Sequence, residues 1–172
     1  MEYRHIEPYE DGRLNVIIET PKGCANKYDY DPNLRLFKLK KMLPLGNFFP
    51  YNFGFLPNTI AEDGDPLDVL VLMDEPAWPG CLVPCRPLGI LLAEQKEKHK
   101  KKYRNDRIIA ASAASLSYGL VNELEDLGPV LLKGIETFFK DYNKNEDKIF
   151  TPLGWGKAKK ATQLVNKHNI GQ

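Results

Sequence analysis

The chain is poor in the residues from which disulfide frameworks, zinc sites and histidine-based nucleophilic sites are built. Its 172 residues contain three cysteines and three histidines. An odd, small cysteine count in a chain this long makes no disulfide framework. Cys81 and Cys85 stand as C-x3-C, but no second pair or nearby histidine completes a tetrahedral zinc site, and Cys24 is remote. The thiols are therefore expected to be structural or incidental. His5, His99 and His168 are scattered, and none belongs to a Ser/His/Asp or Cys/His arrangement, so a triad hydrolase finds no support. P-loop and dinucleotide fingerprints are missing as well. No apolar run approaches the roughly 20 residues that cross a bilayer. The stretch from Met1 to Glu10 has four charged residues besides His5 and no apolar h-region, so a cytoplasmic protein without a membrane partner is expected. Charge of one sign is also lacking: 24 Lys plus Arg against 23 Asp plus Glu leave +1. Nothing global draws the chain to nucleic acid or anionic lipid, and any electrostatic function must be local.

What is present suits one globular domain over residues 1–172, large enough to bury roughly 70% of its unfolded surface. Leu14 to Thr20 alternates and is rich in β-branched residues. Tyr28 to Tyr30 and Leu34 to Leu39, separated by Asp31-Pro32-Asn33, suggest a hairpin. From Phe49 to Phe55 aromatic residues fall at every second position, a row expected to be buried core rather than an exposed base-stacking platform. Val69 to Met73, Cys81 to Ala93 and Arg107 to Ala111 are short apolar runs, the second carrying Pro84 and Pro87, which suit an edge or a bulge. Glu94 to Arg104 holds five Lys and one Arg against two Glu and is expected to be a solvated loop, with a mobile basic arm that steers anions as the alternative. Helical spacing comes late, first after Gly128-Pro129 and again after Trp155. Short strands followed by two helices predict an α+β fold, a small closed barrel with helices against it.

The run Asp63-Gly64-Asp65-Pro66-Leu67-Asp68-Val69 carries chemistry. Hard cations such as Mg2+ take oxygen ligands and are commonly held by one or two carboxylates plus phosphate oxygens. Asp63 and Asp65 share a side in extended backbone, and Gly64 and Pro66 permit a bend that brings Asp68 toward them. Three negative charges in a small volume cost free energy unless cations neutralise them. An EF-hand loop fails on spacing, because Leu67 stands at a ligand position and Asp68 where glycine makes the sharp turn.

This run resembles the signature of family I inorganic pyrophosphatases at every position. The preceding Phe49-Pro50-Tyr51-Asn52-Phe53-Gly54-Phe55-Leu56-Pro57-Asn58-Thr59 is similar to that family's Tyr-Pro-x-Asn-Tyr-Gly-Tyr-Ile-Pro-x-Thr segment. Val16 to Pro21, Asn26-Lys27-Tyr28, Pro79-Gly80, Cys85 to Gly89, Phe138-Phe139 with Tyr142, and Gly154-Trp155 extend the likeness over about residues 14 to 165. The resemblance implies a five-stranded OB-like closed β-barrel with flanking strands and two C-terminal helices. It also implies Mg2+-dependent hydrolysis of diphosphate, with Mn2+ or another divalent cation able to substitute, and a homo-oligomer, a hexamer favoured over a dimer.

Carried over position by position, the resemblance makes Asp63 and Asp68 metal ligands and Asp65 the acceptor of the nucleophilic water's proton. Glu19 contributes to a further metal, Asp29 reaches toward a metal where glutamate is usual, and Lys27, Lys41, Arg107 and the Tyr142 hydroxyl face phosphate. Lys41 replaces a usual arginine, Phe49 and Phe53 replace two tyrosines, and Asn143 stands where lysine is expected. In the second acidic cluster the bridging ligand position falls on the neutral Asn105, with Asp106 beside it, and Glu94 and Glu97 are further candidates. An active diphosphatase is the leading expectation. A non-catalytic or substrate-shifted relative that binds diphosphate or nucleotide phosphates is the alternative, and a barrel that binds single-stranded nucleic acid is a third reading, with nucleic acid the less expected partner.

Overall fold

Alternation along Leu14 to Thr20 builds the strand from which the architecture grows. The computed structural model describes Tyr3 and residues 5–171, so Met1, Glu2 and Arg4 of the N-terminal stretch, and Gln172, lie outside the described residues. In chain order the strands are β1 (Tyr9–Glu10), β2 (Arg13–Thr20), β3 (Asn26–Asp31), β4 (Leu36–Met42), β5 (Asn52–Phe55), β6 (Asp68–Leu72), β7 (Leu82–Lys96), β8 (Tyr103–Arg104) and β9 (Arg107–Ser112). A 3-10 turn at Leu124–Leu127 leads into helix α1 (Gly128–Lys144), then strand β10 (Ile149–Lys157) and helix α2 (Ala158–His168).

Strands β2, β5, β6, β9 and β7 follow one another in hydrogen-bonded order, and β7 pairs back onto β2, which closes a five-stranded ring. Of the described ring pairs, β6 with β9 is parallel and the others are antiparallel. Strands β3 and β4 form the expected hairpin as a separate two-stranded sheet. Successive side chains of a strand point to opposite faces, so each apolar run feeds two cores. Val16, Ile18, Val69, Val71, Ile108 and Ala110 fill the ring, plugged by Ala161 and Val165 of α2. Phe53, Leu70, Leu72, Ile109 and Ala111 face outward beneath Ile135 and Phe139 of α1. Burial on both faces explains why β6 and β9 read as unbroken apolar runs. The fold is α+β and OB-like, as the sequence led one to expect.

Some local expectations change. The β7 run is no edge: it pairs with β2, β9, β10 and β8, and the Pro84 carbonyl accepts the Ala113 N–H at 2.9 Å. The expected bulge is there, as a register shift between Pro87 and Gly89. Glu94 to Arg104 is only partly loop, because β7 runs on to Lys96 and β8 pairs back on it, leaving 97–102 as the connection. Strand β10 is hidden in sequence by Pro152, Gly154 and Gly156, yet pairs along β7 from Ile149 opposite Lys96 to Lys157 opposite Gly89. Phe49, Phe53 and Phe55 are 1%, 5% and 6% exposed, so the aromatic row is core and offers no stacking platform. Beyond α2 the chain latches onto the segment ahead of the acidic run: Ile60 N–H donates to the His168 carbonyl at 3.0 Å, and Ile170 N–H to the Asn58 carbonyl at 2.8 Å. Among the described residues no helix is long and apolar enough to cross a membrane.

Two glycines predict opposite outcomes. A Cβ on Gly54 would meet the Ile17 carbonyl oxygen at 2.1 Å, where β2 and β5 cross, and backbone cannot swing aside. Gly54→Ala is expected to cost about 3 kcal/mol, the upper range of overpacking, and to lower Tm by about 6–12 °C in a chain of this size. Gly134, inside α1, has nothing within 4 Å of an added Cβ. Gly134→Ala should raise Tm by about 2 °C through helix propensity. Differential scanning fluorimetry checks both.

Candidate active site

The acidic turn is shaped by two backbone bonds, one backbone-to-side-chain bond and one apolar plug. Gly64, at φ +90°, donates to the Ala61 carbonyl at 3.1 Å, Ala61 donates to the Asp65 carbonyl at 2.7 Å, and the Asp65 N–H donates to Asp63 Oδ1 at 3.2 Å. A left-handed φ costs glycine nothing, which is why the turn has it there. Leu67 is buried, its N–H on Thr59 Oγ1 at 2.9 Å and its carbonyl holding Leu56 N–H at 3.0 Å. With Leu67 pinned, Asp63, Asp65 and Asp68 all face one cavity of about 990 Å3. Glu19 of β2, Lys27 and Asp29 of β3, and Arg107 of β9 line its other walls.

Two buried cations organise these carboxylates. Lys27 Nζ lies 2.9 Å from Glu19 Oε2, 2.7 Å from Asp29 Oδ1 and 2.7 Å from the Tyr28 carbonyl. Burial works against its charge, but Glu19 and Asp29 outweigh it and hold the ammonium well above the usual lysine range. Burial also pushes the Asp29 carboxyl up, and Lys27 and Lys40 overcome it and hold Asp29 below the usual carboxylate range. Arg107 Nη1 sits 2.6 Å from Asp68 Oδ2 and also bonds Asn105 Oδ1, while its guanidinium lies over the Phe139 and Phe150 rings, 5.4 and 5.7 Å from their centres. Its Nε is buried without a hydrogen-bond partner.

The acidic wall is short of positive charge. Burial raises the Asp68 carboxyl, and Arg107 and Lys27 offset this only in part. Burial raises Asp63 as well, with Asp68 and Asp65 adding to it against the Asp65 N–H bond. The side chain of Asp68 is 26% exposed, and what it exposes borders the cavity. Oxygen-only donors whose charge is unfavourable as they stand fit a hard divalent cation. Among the described residues no three acidic, histidine or cysteine groups form a finished cage. Water or phosphate oxygens must complete the shell, which suits Mg2+.

The residues expected from sequence are distributed unevenly. Glu19, Lys27, Asp29, Asp63, Asp65, Asp68, Asn105, Arg107 and Tyr142 all line the cavity. Lys41 lies behind that wall, its Nζ 4.0 Å from the centre of the Tyr142 ring and in contact with Glu146. Glu94 turns outward and pairs with Lys102 at 3.2 Å. Asp106 also turns away, accepting the Ala93 N–H at 2.8 Å and pairing with Arg104 at 2.5 Å beside a second, smaller pocket. Strand alternation is the reason: the Asn105 N–H is pinned to the Ala93 carbonyl at 3.0 Å, so Asn105 and Arg107 share the cavity side and Asp106 takes the other. Where lysine is expected, Asn143 is buried with its amide on the Phe139 carbonyl at 2.8 Å, and Lys100 and Lys148 reach the cavity instead. Phe49 packs edge-on against Phe138 and Tyr142, with ring centres 5.3 and 5.5 Å away. Sequence reasoning missed Gln95 and Tyr103, although Gln95 prolongs the buried alternation of Leu91 and Ala93, and a polar residue in that register is a signal.

Comparison with known proteins converges on one description. Residues 16–170 match the family described as inorganic pyrophosphatase. An inorganic pyrophosphatase of Synechocystis is 38% identical over 156 residues, 91% of this chain and 89% of its own length. Soluble inorganic pyrophosphatase 3 of Arabidopsis thaliana is 42% identical over 136 residues, 78% of this chain and 60% of its own length. Among solved structures, the inorganic pyrophosphatase of Thermus thermophilus superposes with a TM-score of 0.82 at 33% identity, covering 93% of this chain and 90% of its own.

The raised carboxyls set the pH sense of cation binding. Asp63 and Asp68 must ionise to ligate, and their elevated values mean that the folded protein carries their full penalty at neutral pH and loses it on protonation. Mg2+ at about a hundredfold over its Kd should therefore add about 2.7 kcal/mol, or about 5–10 °C in Tm, at pH 8. The shift should shrink at pH 5 and vanish in Asp68→Asn, read by thermal melts with and without the cation.

Proposed function

The chain belongs to the inorganic pyrophosphatase family and hydrolyses diphosphate to two phosphates; from that premise we propose how its residues divide the work. Asp63 and Asp68 would hold divalent cations, Mg2+ by donor chemistry, with Glu19 and Asp29 on the facing wall. When bound, such cations neutralise phosphate charge and make a proton of water easier to remove near neutral pH. Asp65, at the mouth of the cavity, takes that proton. Lys27, kept charged by its two carboxylates, and Arg107 face the phosphate oxygens. Burial raises the Tyr142 hydroxyl above its ordinary value, so it keeps its proton and can donate to the leaving phosphate. Lys41, seated over the Tyr142 ring, lends positive charge to that wall from behind.

The observation that carries this reading is the arrangement of one acidic turn and two buried cations, Arg107 on Asp68 beside it and Lys27 on another wall, around a single cavity. Named diphosphatases at 38% and 42% identity favour an enzyme over a non-catalytic relative. We also infer one catalytic domain over residues 1–172, supported by the β7 strand shared between ring and outer sheet, and a cytoplasmic setting, supported by relatives named as soluble. A homo-oligomer, hexamer before dimer, is supported by the family likeness and by exposed apolar side chains such as Trp78, Leu116 and Val130.

Phosphate release from diphosphate and Mg2+ tests the assignment. Asp65→Asn should lower kcat by about 100-fold or more with an unchanged melting curve, since Asp65 is exposed. Tyr142→Phe should lower kcat by about 100-fold. Wild-type release no faster than that of Asp65→Asn would overturn the assignment.

A further inference from the structure

A chain of hydrogen bonds crosses the floor of the cavity. Arg107 Nη1 donates to Asn105 Oδ1, and Asn105 Nδ2 donates to Gln95 Oε1 at 3.0 Å. Gln95 Nε2 then donates to Tyr103 Oη at 2.5 Å, and the Tyr103 hydroxyl donates to Glu97 Oε1 at 2.9 Å. Gln95 is 4% and Asn105 7% exposed, so neither amide can take water as a ready substitute. The two ends of the chain fix its polarity. A guanidinium has only donors and an ionised carboxylate only acceptors. Lys100 Nζ at 2.6 Å and the Tyr103 hydroxyl at 2.9 Å both donate to Glu97, which makes its carboxylate the accepting end. With both ends set, each amide between them has one satisfied orientation, and reversing either would bring donor onto donor or acceptor onto acceptor.

We propose that Gln95 is a positioning residue for diphosphate binding: by accepting the Asn105 N–H it keeps Asn105 Oδ1 on Arg107 Nη1, which holds the guanidinium at the cavity wall. This rests on the reading that Arg107 grips phosphate. Asp68, at 2.6 Å, and Asn105 both take Nη1, so losing the Asn105 bond leaves that nitrogen to Asp68 and the Asp106 carbonyl at 3.3 Å, with the Phe139 and Phe150 rings beside the guanidinium. Gln95 touches no reacting atom. Its effect passes through Asn105, and the Tyr103–Glu97 end prevents Gln95 from turning over.

The test is a double-mutant cycle of Gln95→Leu and Asn105→Leu. It is read as KM and kcat for diphosphate with Mg2+ and, independently, as calorimetric binding of inorganic phosphate to the metal-free protein. Gln95→Leu should raise KM by about tenfold, the scale of one charge-assisted hydrogen bond, and weaken phosphate binding by a similar factor. Its kcat should stay within about threefold. Asn105→Leu should weaken phosphate binding by the same factor, and phosphate binding in the double variant should be no worse than in either single one, because both act on one contact. Tyr103→Phe, which leaves the buried amides in place, should give a smaller shift in the same direction and guards against a leucine variant that fails to fold. Unchanged phosphate binding in Gln95→Leu and Tyr103→Phe would overturn the proposal, and so would losses that multiply in the double variant. Arg107→Met separates the two levels. If it abolishes phosphate binding while the cycle multiplies, only the positioning role fails; if it leaves phosphate binding intact, the phosphate grip fails and the positioning role with it.

Discussion

The ion pair between Asp68 and Arg107 is the contact around which the rest is arranged. Each is the first residue of its strand, and β6 and β9 are parallel neighbours in step, Val69 beside Ile108. Parallel pairing therefore puts both charges at the same rim of the barrel, with no residue needed to bridge them. Removing either partner from such a half-buried pair leaves an uncompensated charge, which is among the costlier lesions a small domain can take. The carboxylate that a cation would claim is thus the same one that holds the guanidinium, and cation binding must share Asp68 rather than find it idle.

The second constraint is the division of each strand between two cores. Because β6 and β9 feed both the ring interior and the layer under α1, the polar residues at their starts have nowhere to point but the rim. Lys27 completes the design from the opposite side, where the β3–β4 hairpin leans over the ring and β3 carries an ammonium that Glu19 and Asp29 keep charged. Rigidity of the barrel and placement of the site are one property here.

Much of this was legible in the sequence, and for definable reasons. The β-branched alternation of β2, the helical spacing after Gly128-Pro129 and the acidic run are local signals that tertiary structure did not override. What was not legible depended on pairing at a distance. The glycines and proline of β10 look like loop until β7 supplies eight partner residues, from Gly89 to Lys96. The choice between Asn105 and Asp106 turned on one backbone bond from Asn105 to Ala93, and the outward turn of Glu94 on a cross-strand lysine. Gln95 carries no charge and belongs to no acidic motif, so its importance is visible only once its two neighbours in the hydrogen-bond chain are known.

The latch beyond α2 has a consequence for how the site comes into being. His168 and Ile60 are 108 positions apart, joined also by His168 Nδ1 and the Ile60 carbonyl at 2.6 Å. The acidic turn hangs from the segment that this latch secures. A ribosome must therefore release residues 168–170 before the turn has its support, and a half-made chain can carry every carboxylate without the shape that gives them purpose.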